Sequence, residues 1–207
     1  MSFKLTDRRL LTILVIVFVQ MVGAAMVLPI LPLFAQREFE MSPGVITLLI
    51  SAFFAAQFIG GPYLGRLSDQ YGRLPVLIVS QIGTAFSFVL LGGATSVWML
   101  FAARILDGLT GGNIIVAQAY ITDITPREQR TAALGYIFAV FGLGFIFGPA
   151  LGGVLSAAFG ARIPFYIAAA AAFVAVIMTW RVLDETVTEE QKASSRAHRS
   201  SLALRVI

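Results

Sequence analysis

The chain has 207 residues, of which 58% are hydrophobic and only 13% are charged, and its mean hydropathy is +0.87. About a quarter of the residues in a soluble domain are charged, so this composition excludes a large soluble domain. The chain has no cysteine and one histidine, His198, so we expect no disulfide, no metal centre and no cofactor.

Six apolar blocks follow one another along the chain, and each reaches the roughly 20 residues that a helix needs to cross a bilayer. The first is longer than the 7–15 residues of a signal-peptide core, so we interpret it as a membrane helix. The sequence therefore predicts an all-α integral membrane bundle over residues 1–183, followed by a polar cytoplasmic linker or tail over 184–207. The predicted spans are about 10–34, 44–66, 74–94, 96–122, 131–158 and 162–183.

The basic residues fix an expected orientation, because cytoplasmic loops carry an excess of Lys and Arg. With the N-terminus inside, the outer loops hold only Arg37 and Arg162, and the inner segments hold twelve basic residues. This asymmetry predicts a multi-pass protein of the cell membrane with both termini cytoplasmic, and it explains the basic excess without nucleic acid. The inner residues are Lys4, Arg8, Arg9, Arg66, Arg73, Arg127, Arg130, Arg181, Lys192, Arg196, Arg199 and Arg205. The last dozen residues are either an unstructured loop or a segment on the anionic membrane surface.

One stretch is written twice. FIGGPYLG at 58–65 and FIFGPALG at 145–152 match at six of eight positions and lie 87 residues apart. The first copy ends the second predicted span and the second copy ends the fifth. An offset of three spans reverses the direction through the membrane, so the pattern indicates an inverted repeat of three helices.

The fourth span contains two charged residues, Arg104 and Asp107, about 12–16 Å from its outer end at 1.5 Å per residue. Residues three apart share a helix face, and a charge at this depth is a functional candidate because it must be paired or face water. Three roles stay open for Asp107: proton or cation coupling, a permanent structural ion pair, and direct substrate contact. The same face continues through Gly108, Gly111, Ile115 and Gln118, which predicts one wall of a central cavity.

Further polar and aromatic residues in the spans are candidates for the same cavity. Gln20 and Gln57 are either cavity contacts or partners in interhelical hydrogen bonds. Phe53, Phe54 and Phe58 are candidates for contact with a hydrophobic compound.

In the fifth span, Gly144, Gly148, Gly152 and Gly153 give the spacing of small residues that lets another helix approach closely. Pro149 removes one backbone hydrogen bond and permits a bend. The pattern fits either a rocking helix or close packing in a static bundle.

Three motifs in order resemble those of the major facilitator superfamily: GRLSDQYGRLPVL at 65–77, LFAARILDGLTGG at 100–112 and GFIFGPALGG at 144–153. The resemblance implies twelve helices in two halves, of which this chain is similar to the N-terminal half. It therefore implies a second six-helix bundle, either a missing C-terminal half or a second copy. It also implies a cytoplasmic latch made of Gly65, Asp69, Gly72, Arg73 and Asp123, with Arg130 as a further member.

Within this superfamily the fifth-span motif is associated with proton-driven drug export, and the stretch from the fourth to the sixth span resembles the tetracycline exporters. Two positions depart from that group: Gln20 and Ser87 stand where those exporters have intramembrane aspartates. Asp107 stands where they usually have a small residue. The resemblance therefore does not carry over the substrate, and it leaves Asp107 as the candidate for a displaced coupling carboxylate.

The sequence thus predicts a transporter, or its N-terminal half, that exports a small hydrophobic or amphipathic compound or drug in exchange for protons by alternating access. Such multidrug efflux across the cell inner membrane would confer antibiotic resistance. The alternatives are a proton-coupled uptake symporter and a non-transporting six-helix membrane subunit or regulator. An enzyme is not expected, because the spans contain no nucleophile–base pair, metal cluster or phosphate-binding loop.

Overall fold

A computed structural model describes residues 8–189 of the chain. The basic end of the tail and the first seven residues lie outside the described residues. The part described is helical, without strands, and provides six helical spans long and apolar enough to cross a membrane. The elements are α1 (Arg8–Phe39), α2 (Pro43–Tyr71), α3 (Arg73–Gly92), α4 (Val97–Thr110), α5 (Asn113–Ile124), a short 3-10 turn (Arg127–Gln129), α6 (Arg130–Phe159) and α7 (Ile163–Val182). The fourth span consists of α4 and α5, so α6 is the fifth span and α7 the sixth.

The helices extend beyond several of the apolar blocks. α1 continues to Phe39 and α2 to Tyr71, because polar residues at the ends of a long helix remain helical after the apolar run stops. The start of α4 is marked by Ser96, whose side chain accepts a hydrogen bond from the backbone of Met99 at 3.4 Å. This is the usual role of serine at a helix N-cap.

Helix pairing follows the predicted repeat. α1 packs mainly against α6, and α2 packs mainly against α4. In span numbers, these are the contacts of span one with span five and of span two with span four. If spans one, two and three are exchanged with spans four, five and six, the first contact becomes the second. The third and sixth spans, α3 and α7, pack against each other. The same exchange leaves this pair unchanged, as an inverted repeat of three helices requires.

Glycines set the closest approaches in both pairs. A Cβ at Gly148 on α6 would lie 2.7 Å from Cβ of Ala25 and 2.8 Å from the carbonyl oxygen of Val22 on α1. A Cβ at Gly60 on α2 would lie 2.6 Å from the carbonyl oxygen of Leu109 on α4. Both distances are shorter than a side chain allows, so the repeated stretches bring two backbones together.

The other motif glycines of the fifth span divide between two faces. Gly144 and Gly152 also face α1, at Met21 and Met26 respectively. Gly153 has nothing within 4 Å of the position of a Cβ, so it does not belong to this contact. α6 remains one continuous helix through Pro149.

Two apolar clusters occupy opposite ends of the bundle. One surrounds Phe34, Leu100 and Phe165, and the other surrounds Leu10 and Tyr120. A layer of buried polar residues lies between the two clusters along the helices: Gln20, Gln81, Thr84, Arg104, Asp107 and Asn113. The fold therefore gathers these six polar side chains at one level between two apolar regions.

Replacement of Gly148 by alanine tests the α1–α6 contact. We expect Gly148→Ala to lower the free energy of unfolding by about 1–3 kcal/mol, because the new methyl group overpacks two backbones. Gly153→Ala is the matched control and should not lower the apparent Tm, since its Cβ meets open space and alanine favours a helix over glycine. Thermal unfolding of the purified protein in detergent measures both. Equal melting temperatures for the two variants would contradict the proposed packing.

Candidate functional site

A cavity of about 190 Å³ lies in the polar layer, among the first five spans. Its wall is mostly apolar, with five phenylalanines and few polar groups. It is lined by Gln20, Met21, Ala24, Ala25, Leu28, Phe53, Phe54, Gln57, Thr84, Phe88, Arg104, Asp107, Gly111, Asn113, Ile114, Phe141 and Phe145. A concave, largely apolar site with a few polar groups is the usual form of a small-molecule site.

The predicted charge pair lies in this wall. Nη2 of Arg104 donates to Oδ2 of Asp107 at 2.5 Å, and the two side chains are only 6% and 8% exposed. The guanidinium carbon lies 4.8 Å from the ring centroid of Phe53. The side chains of Thr84 and Ser87 on α3 adjoin the Asp107 carboxyl group. The pair is therefore buried, with α3 beside the carboxyl group and an aromatic ring beside the guanidinium.

The fourth span breaks where the sequence predicted a continuous face. α4 ends at Thr110 and α5 begins at Asn113, with a turn at Gly111 and Gly112. The turn changes the helical phase, so the predicted face does not continue through α5.

Because of this change of phase, two residues that were predicted to line the cavity lie elsewhere. Gln118 is half-buried and does not line the cavity, and Ile115 instead contacts α2 beside Gly61. Their place in the wall is taken by Asn113 and Ile114.

Two predicted glutamines do line the cavity. Gln20 is buried, and its side-chain oxygen accepts a hydrogen bond from the side chain of Asn113. Nε2 of Gln57 donates to the carbonyl oxygen of Gly111 at 3.4 Å, so it contacts the turn between α4 and α5. Both glutamines are thus interhelical partners as well as cavity residues.

The three phenylalanines of α2 separate. Phe53 and Phe54 line the cavity, whereas Phe58 is 84% exposed on the outer surface of the bundle. One further polar pair was not singled out from the sequence: Oγ1 of Thr179 donates to the side-chain oxygen of Gln81 at 3.0 Å. Helical spacing alone cannot find such a pair, because its residues lie on spans three and six.

The predicted latch residues meet at the end of the bundle where α2 passes into α3, which we call the charged face. Arg73 donates to Asp69 at 2.5 Å, to Asp123 at 2.9 Å and to the hydroxyl of Ser68 at 2.7 Å. Gly65 lies one turn before this cluster, where its carbonyl accepts from Ser68. The arrangement ties the ends of α2, α3 and α5 together.

Arg130 does not join this cluster through its described contacts. Its Nε donates to the backbone carbonyl of Thr125 at 3.3 Å, which closes the turn between α5 and α6. Its position at the start of α6 turns its side chain toward the preceding loop.

Residues directly after α7 also belong to the charged face. The carboxylate of Glu185 accepts hydrogen bonds from the backbone amides of Arg73 at 2.9 Å and Leu74 at 3.2 Å. It therefore caps the first turn of α3, where unpaired amides favour a negative charge. Gly72 precedes this turn with φ of +110°, and a Cβ there would collide with the Glu185 carboxylate. Only glycine suits both the backbone and the available space.

Two more contacts hold the same segment. Asp184 pairs with Arg9 at 2.6 Å, and the hydroxyl of Thr186 donates to Asp123 at 3.1 Å. Residues 184–186, which we call the clasp, thus connect the start of α1, the start of α3 and the end of α5. The sequence predicted only a linker here.

The fold and the motifs agree with the family comparison. The family model of the Major Facilitator Superfamily matches residues 13–207. The chain belongs to this superfamily. The match extends from within the first span through the sixth, and therefore includes the cavity, the charge pair and the latch residues.

Curated relatives carry names of drug resistance proteins. The chain is 34% identical over 200 residues to the tetracycline resistance protein, class H, of Pasteurella multocida, covering 95% of this chain and 50% of the relative. It is 33% identical to multidrug resistance protein 2 of Bacillus subtilis (strain 168), with 88% and 45% covered. It is 37% identical to the tetracycline resistance protein, class B, of Escherichia coli, with 81% and 42% covered. The chain spans about half the length of the curated relatives it matches.

Solved structures share the fold at lower identity. The human organic anion transporter MFSD10 (TETRAN) superposes with a TM-score of 0.77 at 22% identity, covering 91% of this chain and 50% of that one. A peptide transporter, POT, gives a TM-score of 0.77 at 16% identity, with 95% and 45% covered. These structural neighbours are transporters and not enzymes, and each supports the fold of the six-helix half.

Replacement of Glu185 by alanine tests the clasp. We expect Glu185→Ala to speed amide hydrogen exchange at the start of α3, because two amides lose their acceptor. A lost N-cap costs about 0.5–2 kcal/mol, which corresponds to roughly a 2- to 30-fold faster local exchange if opening of this turn controls the rate. Hydrogen–deuterium exchange with mass spectrometry measures peptides that include residues 72–78. Glu128→Ala, an exposed change in the 3-10 turn, is the control; unchanged exchange in Glu185→Ala would contradict the capping role.

Proposed function

We propose that this chain forms the N-terminal half of a transporter that exports a small hydrophobic or amphipathic compound in exchange for protons. The observation that carries the proposal is the buried Arg104–Asp107 pair in the wall of a largely apolar cavity. The names of the curated relatives support a role in drug resistance, and the structural neighbours support the transporter fold.

The pair supplies a means of coupling. Two buried opposite charges are stable only while each compensates the other, since removing one partner leaves an uncompensated charge in a medium of low dielectric. A proton on Asp107 neutralises the carboxylate and leaves Arg104 without its counter-charge. Protonation therefore changes the preferred arrangement of this wall, and a substrate that binds one arrangement better exchanges for the proton.

Alternating access would come from movement against a second six-helix bundle. α2 and α6 are the least buried spans, and both border the cavity. Their exposed apolar side chains, among them Phe54 and Phe145, suit contact with that bundle. The second bundle, whether the other half of a longer chain or a second copy, would close the cavity on this side.

The latch would hold one state of this movement. Arg73 is 12% exposed at the centre of its cluster, whereas the side chain of Asp69 is 51% exposed. Asp69 therefore has room to accept a further partner from the second bundle. Breaking that contact would release the charged face while the Arg73–Asp123 pair stays within this half.

Replacement of Asp107 by asparagine tests the coupling. We expect Asp107→Asn to lose at least 90% of pH-gradient-driven accumulation in everted membrane vesicles, because an amide cannot take up and release the proton. Binding of the same compound should remain within about threefold. Radiolabelled tetracycline and chloramphenicol serve as probes. Glu38→Gln, at an exposed pair with Arg162 of 3.6 Å, is the matched control; gradient-driven accumulation at the parental level in Asp107→Asn would rule out this role.

Single cysteines test the proposed orientation, and the chain has no cysteine of its own. We expect a membrane-impermeant maleimide to label Glu38→Cys in intact cells and Glu128→Cys only after lysis. The physical reason is the basic excess on the charged face, which favours the cytoplasm. Mass-shift labelling on gels reads out both variants. Labelling of Glu128→Cys in intact cells, with Glu38→Cys protected, would reverse the assigned orientation.

A further inference from the structure

We infer that this half of the cavity selects an uncharged aromatic compound that carries a hydrogen-bond acceptor, in preference to a cation or an anion. The inference rests on the proposed function in that it treats the cavity as the substrate site. It goes further by naming the chemical class of the substrate.

Charge gives the first reason. Arg104 and Asp107 are the only charged residues among those that line the cavity in the described part of the chain, and they pair with each other. The wall therefore carries no net charge. An ion that enters loses its hydration and finds no free counter-charge, which is costly in an apolar site. A neutral compound avoids this cost.

Hydrogen-bonding capacity gives the second reason. Nε of Arg104 and Nε2 of Gln20 are buried donors with no acceptor among the described residues. The oxygen of Gln20 already accepts from Asn113, and Oδ2 of Asp107 accepts from Arg104. These two N–H groups are therefore the donors left for a ligand in this wall. A buried donor without a partner is unfavourable, so a ligand that brings a carbonyl or ether oxygen complements the site.

The aromatic surroundings set the shape of the ligand. The ring centroid of Phe53 lies 4.8 Å from the guanidinium carbon of Arg104. A ligand whose acceptor reaches Arg104 therefore has its apolar body beside this ring. The remaining wall offers Phe54, Phe88, Phe141 and Phe145. Flat aromatic ligands pack on such rings in stacked or edge-to-face geometry.

Proton exchange gives the third reason. An acceptor on Nε of Arg104 leaves Nη2 free to hold Asp107, so a neutral ligand binds while the pair is intact. A proton on Asp107 makes the wall positive and frees the guanidinium to move, which disturbs that geometry. An anion would instead bind the positive wall more tightly, so proton and anion would travel together. Exchange therefore favours the neutral ligand over the anion.

Four naphthalene compounds of similar size separate these possibilities. They are 1-acetonaphthone, which is neutral with a carbonyl acceptor; 1-ethylnaphthalene, neutral without one; 1-naphthoate, an anion; and (1-naphthylmethyl)trimethylammonium, a cation. Ligand-induced increases in Tm of the purified full chain give dissociation constants, because a ligand that binds only the folded state stabilises it by RT ln(1 + [L]/Kd), where [L] is the free ligand concentration. We expect the ketone to bind at least tenfold more tightly than the other three.

Variants assign the preference to the two donors. Arg104→Lys keeps a positive charge beside Asp107 but has no Nε donor, and Gln20→Leu removes the second donor. In each variant the tenfold advantage of the ketone over ethylnaphthalene should fall to threefold or less. Arg162→Lys, at the turn between α6 and α7 and outside the cavity lining, is the matched control and should keep the tenfold advantage. The unliganded Tm of each variant shows whether it is folded, and either variant alone suffices for the comparison.

Several outcomes overturn the inference. These are tighter binding of the cation or the anion than of the ketone, an unchanged ketone advantage in a folded donor variant, and no stabilisation by any of the four compounds. A failure of the proposed function can be distinguished from a failure of this inference. If the ketone binds most tightly but Asp107→Asn leaves gradient-driven accumulation unchanged, the inferred substrate class is supported and proton coupling through Asp107 is refuted. If gradient-driven accumulation depends on Asp107 while the cation binds most tightly, proton coupling is supported and the inferred substrate class is refuted.

Discussion

The buried ion pair between Arg104 and Asp107 is the constraint on which the rest of the bundle depends. A charged side chain inside hydrocarbon costs several kcal/mol unless it is paired or faces water. The bundle meets this requirement by placing the pair at the level of a cavity, with Thr84 and Ser87 beside the carboxyl group and Phe53 beside the guanidinium. Gln20, Gln81 and Asn113 lie at the same level, between two apolar clusters. Apolar packing at both ends therefore supports a polar layer that could not form alone.

Close packing of the repeats keeps this layer in place without filling it. α6 approaches α1 at Gly148, and α2 approaches α4 at Gly60, where side chains would separate the backbones. Since each contact joins one helix of the first repeat to one of the second, the two repeats hold each other. The cavity lies beside these contacts, and its open side is bordered by α2 and α6, the least buried spans. The same motif thus explains the tight internal contacts and leaves apolar surface on α2 and α6, where the proposed second bundle would pack.

Much of this could be predicted from the sequence, because the relevant signals are local. Span lengths follow from apolar runs, and the partnership of Arg104 with Asp107 follows from helical spacing and depth. Gln118 could not be placed, since the turn at Gly111 and Gly112 shifts the phase of α5 and brings Asn113 to the cavity instead. The contact of Glu185 with the start of α3 joins residues 112 positions apart and leaves no periodic signal. The position of a side chain can thus be predicted where it depends on one continuous helix. It cannot be predicted where it depends on a break in the helix or on contact with a distant segment.

The two charge sites are connected by α3. Arg73 begins this helix at the charged face, and Thr84, 11 residues later, adjoins Asp107. At 1.5 Å per residue these points are about 16 Å apart along one continuous helix. A change in the contacts of Asp107 that shifts α3 also moves the amides capped by Glu185 and the guanidinium that holds Asp123. The broken fourth span cannot transmit such a shift as rigidly, because the turn at Gly111 separates Asp107 from Asp123. α3 is therefore the element through which the proposed protonation of Asp107 would reach the proposed latch.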